Sequence, residues 1–193
     1  SLTETINFRR VEIVGPKISK ELTKSGIYAV LIALVLMLFY IWLRFEWQFS
    51  LGSILALLHD VMLTLGAFSI IGFEFNLSII AAILTIVGYS MNDTVVIYDR
   101  IRENLKKDDK SDLLDLINIS VNETLPRTLK TSITTLLALI AIYFFGGEIL
   151  RGFSFALIWG VIAGTYSSIF IAAPLILIFN VKRDWNEVID KSP

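Results

Sequence analysis

Five apolar stretches, each near the length of a membrane-spanning helix, constrain this chain more than any other feature of its sequence. Crossing about 30 Å of hydrocarbon takes about 20 mostly apolar residues in helical form. The first stretch runs from Gly26 to Leu43, with aromatic residues toward its far end, where an interfacial belt belongs. The second runs from about Phe49 to Gly72 and the third from about Leu77 to Ile97, and only "FEFN" separates them, which suits an antiparallel helix pair. The fourth has a strongly apolar part, Leu136 to Phe145, about half the needed length, so it must recruit the polar turns of "RTLKTSITT" to cross. The fifth runs from about Phe153 to Phe179, with Pro174 as a kink site near its end. The expected fold class is therefore all-α, a polytopic bundle of five transmembrane helices.

Composition agrees with that reading and removes several functions. Hydrophobic residues make up 55% of the chain and charged residues 18%, too few to cover a soluble globule. The net charge of −1 gives no basic excess for nucleic acid. With no cysteine and one histidine there is neither a thiolate nor a histidine-rich metal site, and no cofactor is expected.

Basic residues set the expected orientation. Arg100, Arg102, Lys106, Lys107 and Lys110 lie between spans three and four, and Lys182, Arg183 and Lys191 follow span five; alternation places both groups on one side, read as cytoplasmic. Arg9, Arg10, Lys17, Lys20 and Lys24 precede span one, and a long translocated domain is exempt from the charge rule. Residues 1–23 are accordingly expected to be the end of an external domain and the lead-in to the first span. Residues 24–181 form the membrane domain and 182–193 a cytoplasmic tail. The connector at about 99–125 contains "SDLLDLINISVNETLP", with Leu113, Leu114, Ile117, Val121 and Leu125 at helical spacing and Ser111 as N-cap. It reads either as an amphipathic helix on the membrane surface or as a connector packed on its own bundle.

Ionisable groups within spans are costly, about 2.5–3.5 kcal/mol at a helix centre on insertion scales, and tend to mark ion or substrate paths. His59 and Asp60 fall near the middle of span two, Asp93 in the inner third of span three, and Arg127 at the start of span four. Tyr89 and Ser90 share a face with Asp93 and are expected to hydrogen-bond it, while Asn92 aligns with Gly88 and Asp99. Arg127, Thr131, Thr134 and Thr135 form a polar stripe, and antiparallel spans three and four would let Arg127 meet Asp93. The competing structural readings are a packing ion pair, a snorkelling arginine and a hydrogen-bonded imidazole. In span five Gly152, Ala156, Gly160, Gly164, Ser168 and Ala172 recur every four residues, a ladder that permits close approach of another helix.

Five blocks carry a resemblance: "VEIVGPKISKEL", "LHDVMLTLG", "GYSMNDTVVIYDRIREN", "LPRTLKTSITTLLA" and "GTYSSIFIAAPL". Agreeing in order and spacing over essentially the whole chain, they closely resemble the SecD/SecF family of protein-export membrane proteins in the resistance–nodulation–division (RND) superfamily. The SecD side typically reads "VDANVLIFERI" where this chain reads "MNDTVVIYDRI", so the resemblance is to the SecF side. It implies an RND-type membrane domain in the bacterial inner membrane and a six-span protein, of which the first span and nearly all of a periplasmic domain are not in this sequence. It also implies SecD, the SecYEG channel and the exported polypeptide as partners, beside membrane lipids and protons, with no enzymatic step. In that family the aspartate of the "ND" pair and the arginine of the "RT" pair are implicated in proton conduction; here they fall on Asp93 and Arg127. His59 and Asp60 match a recurring "HD" pair. An RND-type exporter of small molecules or lipids, and an intramembrane aspartyl protease using Asp60 and Asp93, are the alternatives; the chain has no "GxGD" element for the latter.

Overall fold

The computed structural model describes residues 16–72, 77–108, 111–179 and 181. The expected external segment (apart from 16–23), the "FEFN" loop and the tail 182–193 lie outside the described residues. What is described is helical: α1 (Pro16–Arg44), α2 (Trp47–Ile71), α3 (Leu77–Lys107), α4 (Leu113–Phe145), α5 (Glu148–Ser167), a π-helical turn (Ser168–Ala172) and α6 (Ala173–Ile178). Among the described residues, five helical segments are long and apolar enough to cross a membrane, with α5, the turn and α6 forming one of them.

Two helices outrun the hydrocarbon. At 1.5 Å per residue, the 31 residues of α3 and 33 of α4 extend about 45–50 Å, so their joined ends project well beyond a core of about 30 Å. The expected connector helix and span four are thus one continuous helix, with Pro126 inside it. Its first turns pack on α3 rather than lying apart: Leu113, Leu116 and Ile117 join Ile101 and Leu105 in one apolar cluster. Ser111 is not the N-cap. Asp112 holds that position with extended backbone, and Ser111 instead bonds the Asp108 carboxylate through both its backbone N–H and its hydroxyl.

α3 forms the centre of the bundle, packed against α1, α2, α4 and α5. α1 lies outside, with Ile27, Leu31, Val35, Leu36 and Trp42 exposed, as suits a helix whose solvent is lipid. At the Arg-rich end of the bundle, Phe45, Phe49 and Tyr98 stack edge to face, with Phe49 and Tyr98 centroids 5.1 Å apart. Gly52 makes room for this, since a Cβ there would sit 2.6 Å from the Tyr98 hydroxyl. The irregularity before Pro174 takes the form of the π turn. Proline has no N–H to give the Phe170 carbonyl and its ring crowds that carbonyl, and a widened turn relieves the crowding.

Candidate functional site

The small-residue ladder of span five finds its partner within the chain. Gly160 faces Ile86, Gly164 faces Ser90, Ser168 bonds Thr94, and Ala172 accepts from Tyr98. Each α5-side residue stands 74 positions after its α3 partner, so the two helices run parallel in one register. Every fourth residue matching every fourth residue brings the backbones close, as a small-xxx-small face allows. Ala156, Gly160, Gly164 and Ser168 are buried and Gly152 is half-buried.

Beside this seam, on α2, lies Asp60, 1% exposed. Its Oδ2 accepts from Ser90 Oγ at 2.6 Å and its Oδ1 lies 3.1 Å from His59 Nδ1. His59 is one-third exposed, so the pair leads from the bundle surface to the core. Thr64 Oγ1 donates to the Asp60 carbonyl at 2.7 Å and ties the next turn of α2 to it.

Asp93 sits one turn further along α3 and is 3% exposed. Its Oδ2 is shut from solvent and has no hydrogen-bond partner among the described residues. The expected bonds from Tyr89 and Ser90 go elsewhere: Ser90 serves Asp60, and Tyr89 donates to Thr135 Oγ1 at 3.3 Å. The reason is helical geometry, because residues three and four before Asp93 bracket its face and each is captured by a neighbouring helix. Asn92 is exposed, with Gly88, on the other side of α3. Arg127 does reach Asp93 with its field from α4, but it is exposed and makes no ion pair with it within the described residues. The two expected protease carboxylates share no hydrogen bond, since Asp60 is held by Ser90 and His59.

The buried polar face of α4 is turned one position from the expected one. Ser120, Thr124, Thr128 and Ser132 are buried, whereas Thr134 is exposed and Thr131 half-buried. Thr131 and Thr134 return their hydroxyls to their own helix, Thr131 to the Arg127 and Thr128 carbonyls. Ser132 instead crosses to Thr165 of α5 at 2.7 Å. Thr128 Oγ1, like Asp93 Oδ2, is enclosed without a partner among the described residues. The residues that sequence reasoning missed are therefore Thr94, Tyr98, Thr128, Ser132 and Thr165. The four-residue ladder held a signal for the α3 members, since Ile86, Ser90, Thr94 and Tyr98 repeat its spacing.

The chain as a whole is similar to known proteins. The family model described as protein export membrane protein SecD/SecF, C-terminal, matches residues 1–182. The chain belongs to the SecD/SecF family. Among relatives, it is 53% identical over 184 residues to protein translocase subunit SecF of Rickettsia akari, covering 95% of this chain and 60% of that protein. It is 52% identical over 173 residues to the SecF subunit of Rhodobacter capsulatus, covering 90% and 52%. The chain thus spans about 60% or less of the length of these SecF relatives. Among solved structures, SecDF of Thermus thermophilus, described as a translocon-associated membrane protein, superposes with a TM-score of 0.83 at 47% identity, covering 86% of this chain and 23% of that one. SecDF in its super-membrane-facing form gives 0.79 at 43% identity, covering 92% and 24%. The described residues are therefore an all-helical, multi-pass membrane domain that matches part of SecDF, and the expected fold class stands.

The charged end of this domain is cross-braced. Arg44 bonds Asp99 at 2.9 Å; Arg100 holds Glu123 and Glu103, each at 2.6 Å; and Asn104 donates to Ser120 at 3.0 Å and Glu123 at 2.9 Å. Between α1 and α2, burial holds the Glu46 carboxyl above its usual range, opposed by the nearby charges of Arg102 and Lys106.

Proposed function

We propose that this chain is the membrane domain of a SecF-type subunit that couples proton movement to protein export in the bacterial inner membrane. It acts with SecD and the SecYEG channel, and the work is done on the exported polypeptide without bond-making chemistry. The basic end of the bundle faces the cytoplasm. What supports the reading, beyond family membership, is the Asp93 carboxyl: nearly sealed in the bundle, with one oxygen unpartnered among the described residues and the Arg127 charge acting on it from α4.

A carboxyl in such a place has its charge state set by the helices around it. A small displacement of α4 changes the field of Arg127 at Asp93, so binding and release of a proton become linked to helix position. Asp60, with His59 at the surface, is a second carboxyl along the same seam. The test is Asp93→Asn in the complete protein, which keeps size and burial and removes the exchangeable proton. Folding and assembly with SecD should persist while export driven by the proton-motive force is lost. Full proton-dependent export in that variant would defeat the proposal.

A further inference from the structure

The π turn is clamped by three bonds from one face of α3. Ser168 Oγ meets Thr94 Oγ1 at 2.9 Å and reaches the Ser90 carbonyl at 3.3 Å, and Tyr98 Oη donates to the Ala172 carbonyl at 3.0 Å. Ser168 and Ala172 are the first and last residues of the turn. Ser90 uses its own hydroxyl on Asp60, and Thr94 adjoins Asp93. The turn is therefore two hydrogen bonds from one buried carboxyl, and its Thr94 contact adjoins the other in sequence.

A π turn carries one residue more than an α turn. Closing it to α would rotate all that follows by about 100° about the helix axis. In the observed state Ile176 of α6 is fully buried, its Cδ1 and the Leu175 Cβ converging with the Tyr98 hydroxyl over Gly52 of α2. That rotation would pull Ile176 off α2, so the position of α6 and the state of the turn are one variable. Tyr98 is fully buried, and among the described residues its hydroxyl bonds only the turn, outside the proton site described above.

We propose that Tyr98 is a positioning residue that latches this turn: its bond to Ala172 holds the widened form, and its release lets α5–α6 change register, moving Ser168 and with it the hydroxyls beside Asp60 and Asp93. This rests on the proton-coupling reading and adds the element that transmits movement to the carboxyls. The test uses the complete protein in lipid nanodiscs for hydrogen exchange and in phosphatidylethanolamine–phosphatidylglycerol vesicles with a pH-sensitive dye for proton uptake. Tyr98→Phe keeps the ring stack and removes one hydroxyl, so the amides of residues 172, 173 and 175–178 should exchange about fivefold faster, the equivalent of one ordinary hydrogen bond, with α1–α4 unchanged. Pro174→Ala restores a backbone donor and favours the α form, the direction in which Tyr98→Phe also moves the turn, so the double variant should stand at least as far from wild type as either single variant. Ser168→Ala should mimic Tyr98→Phe. Proton uptake should change in the same sense in each single variant and at least as much in the double. Unchanged exchange at those amides, a rise spread over all helices, or a local rise without altered uptake would each overturn the proposal. Asp93→Asn measured alongside separates the two ideas: normal uptake there defeats the proton reading, whereas lost uptake there with unchanged exchange in Tyr98→Phe defeats the latch alone.

Discussion

Gly164→Ala is the sharpest test of the α3–α5 seam, because one methyl group meets a neighbour that cannot step aside. A Cβ on Gly164 would stand 2.9 Å from Ser90 Cβ, 3.2 Å from Ser90 Oγ and 3.4 Å from its Cα. The first and last of these belong to a rigid part of the helix, so the helices must separate or Ser90 must turn. Overpacking of this kind costs about 1–3 kcal/mol. If Ser90 turns, its bond to Asp60 is also lost, and a hydrogen bond to a charged group is worth about 1.5–3 kcal/mol. Gly88→Ala is the control: it lies in the same helix pair with nothing within 4 Å of the added atom, and a helical Gly→Ala change there gains up to about 1 kcal/mol. Equilibrium unfolding of the purified protein, by steric trapping in a lipid bicelle, should place Gly164→Ala below wild type by at least about 1 kcal/mol and Gly88→Ala at or above it. Equal stability of the two variants would show that the seam is not close-packed at this level.

Three further outcomes follow from local geometry. Gly147 has φ 78° and ψ 175°, a conformation nearly restricted to glycine, so Gly147→Ala should cost about 1–3 kcal/mol in the same unfolding assay, and a neutral result would contradict that backbone assignment. Asn104→Ala, which removes a buried donor shared by Ser120 and Glu123, should cost about 1–3 kcal/mol, more than the exposed Lys107→Ala at under about 1 kcal/mol; the reverse order would refute the bracing. Glu46 titrates above its ordinary 4.5 in the folded protein, so the fold binds this proton more tightly than the unfolded chain does. Its stabilising contribution is complete below pH 4.5 and is lost as pH rises through the folded value, so wild type should weaken relative to Glu46→Gln over that interval, and a relative gain would reverse the sign.

The sequence made the five spans legible because lipid leaves the backbone no choice but helix, and length and hydropathy then count the crossings. The ladder from Ala156 to Ala172 likewise read through, since small residues every four positions have one packing use, and α3 proved to be its partner. Less legible was which face of each helix points inward. In a membrane helix apolar residues cover both lipid and protein faces, so periodicity does not orient Thr131 against Thr128, and the buried stripe of α4 came out one residue away. The partners of Tyr89 and Ser90 were hidden for the same reason, since three helices compete for their hydroxyls. The π turn had a local cause in Pro174, but its exact place depends on Tyr98 and Thr94, more than 70 residues away in the chain.

The claim on which the account depends is that Asp93 changes its charge state while the domain works. Isotope-edited infrared spectroscopy of the complete protein in vesicles, with the aspartate carboxyl band assigned by Asp93→Asn, reads that state directly as a proton gradient is imposed and removed. The account predicts a protonated-carboxyl band that rises and falls with the gradient and is absent in the variant. A band that never changes, or the same change in Asp93→Asn, would contradict it.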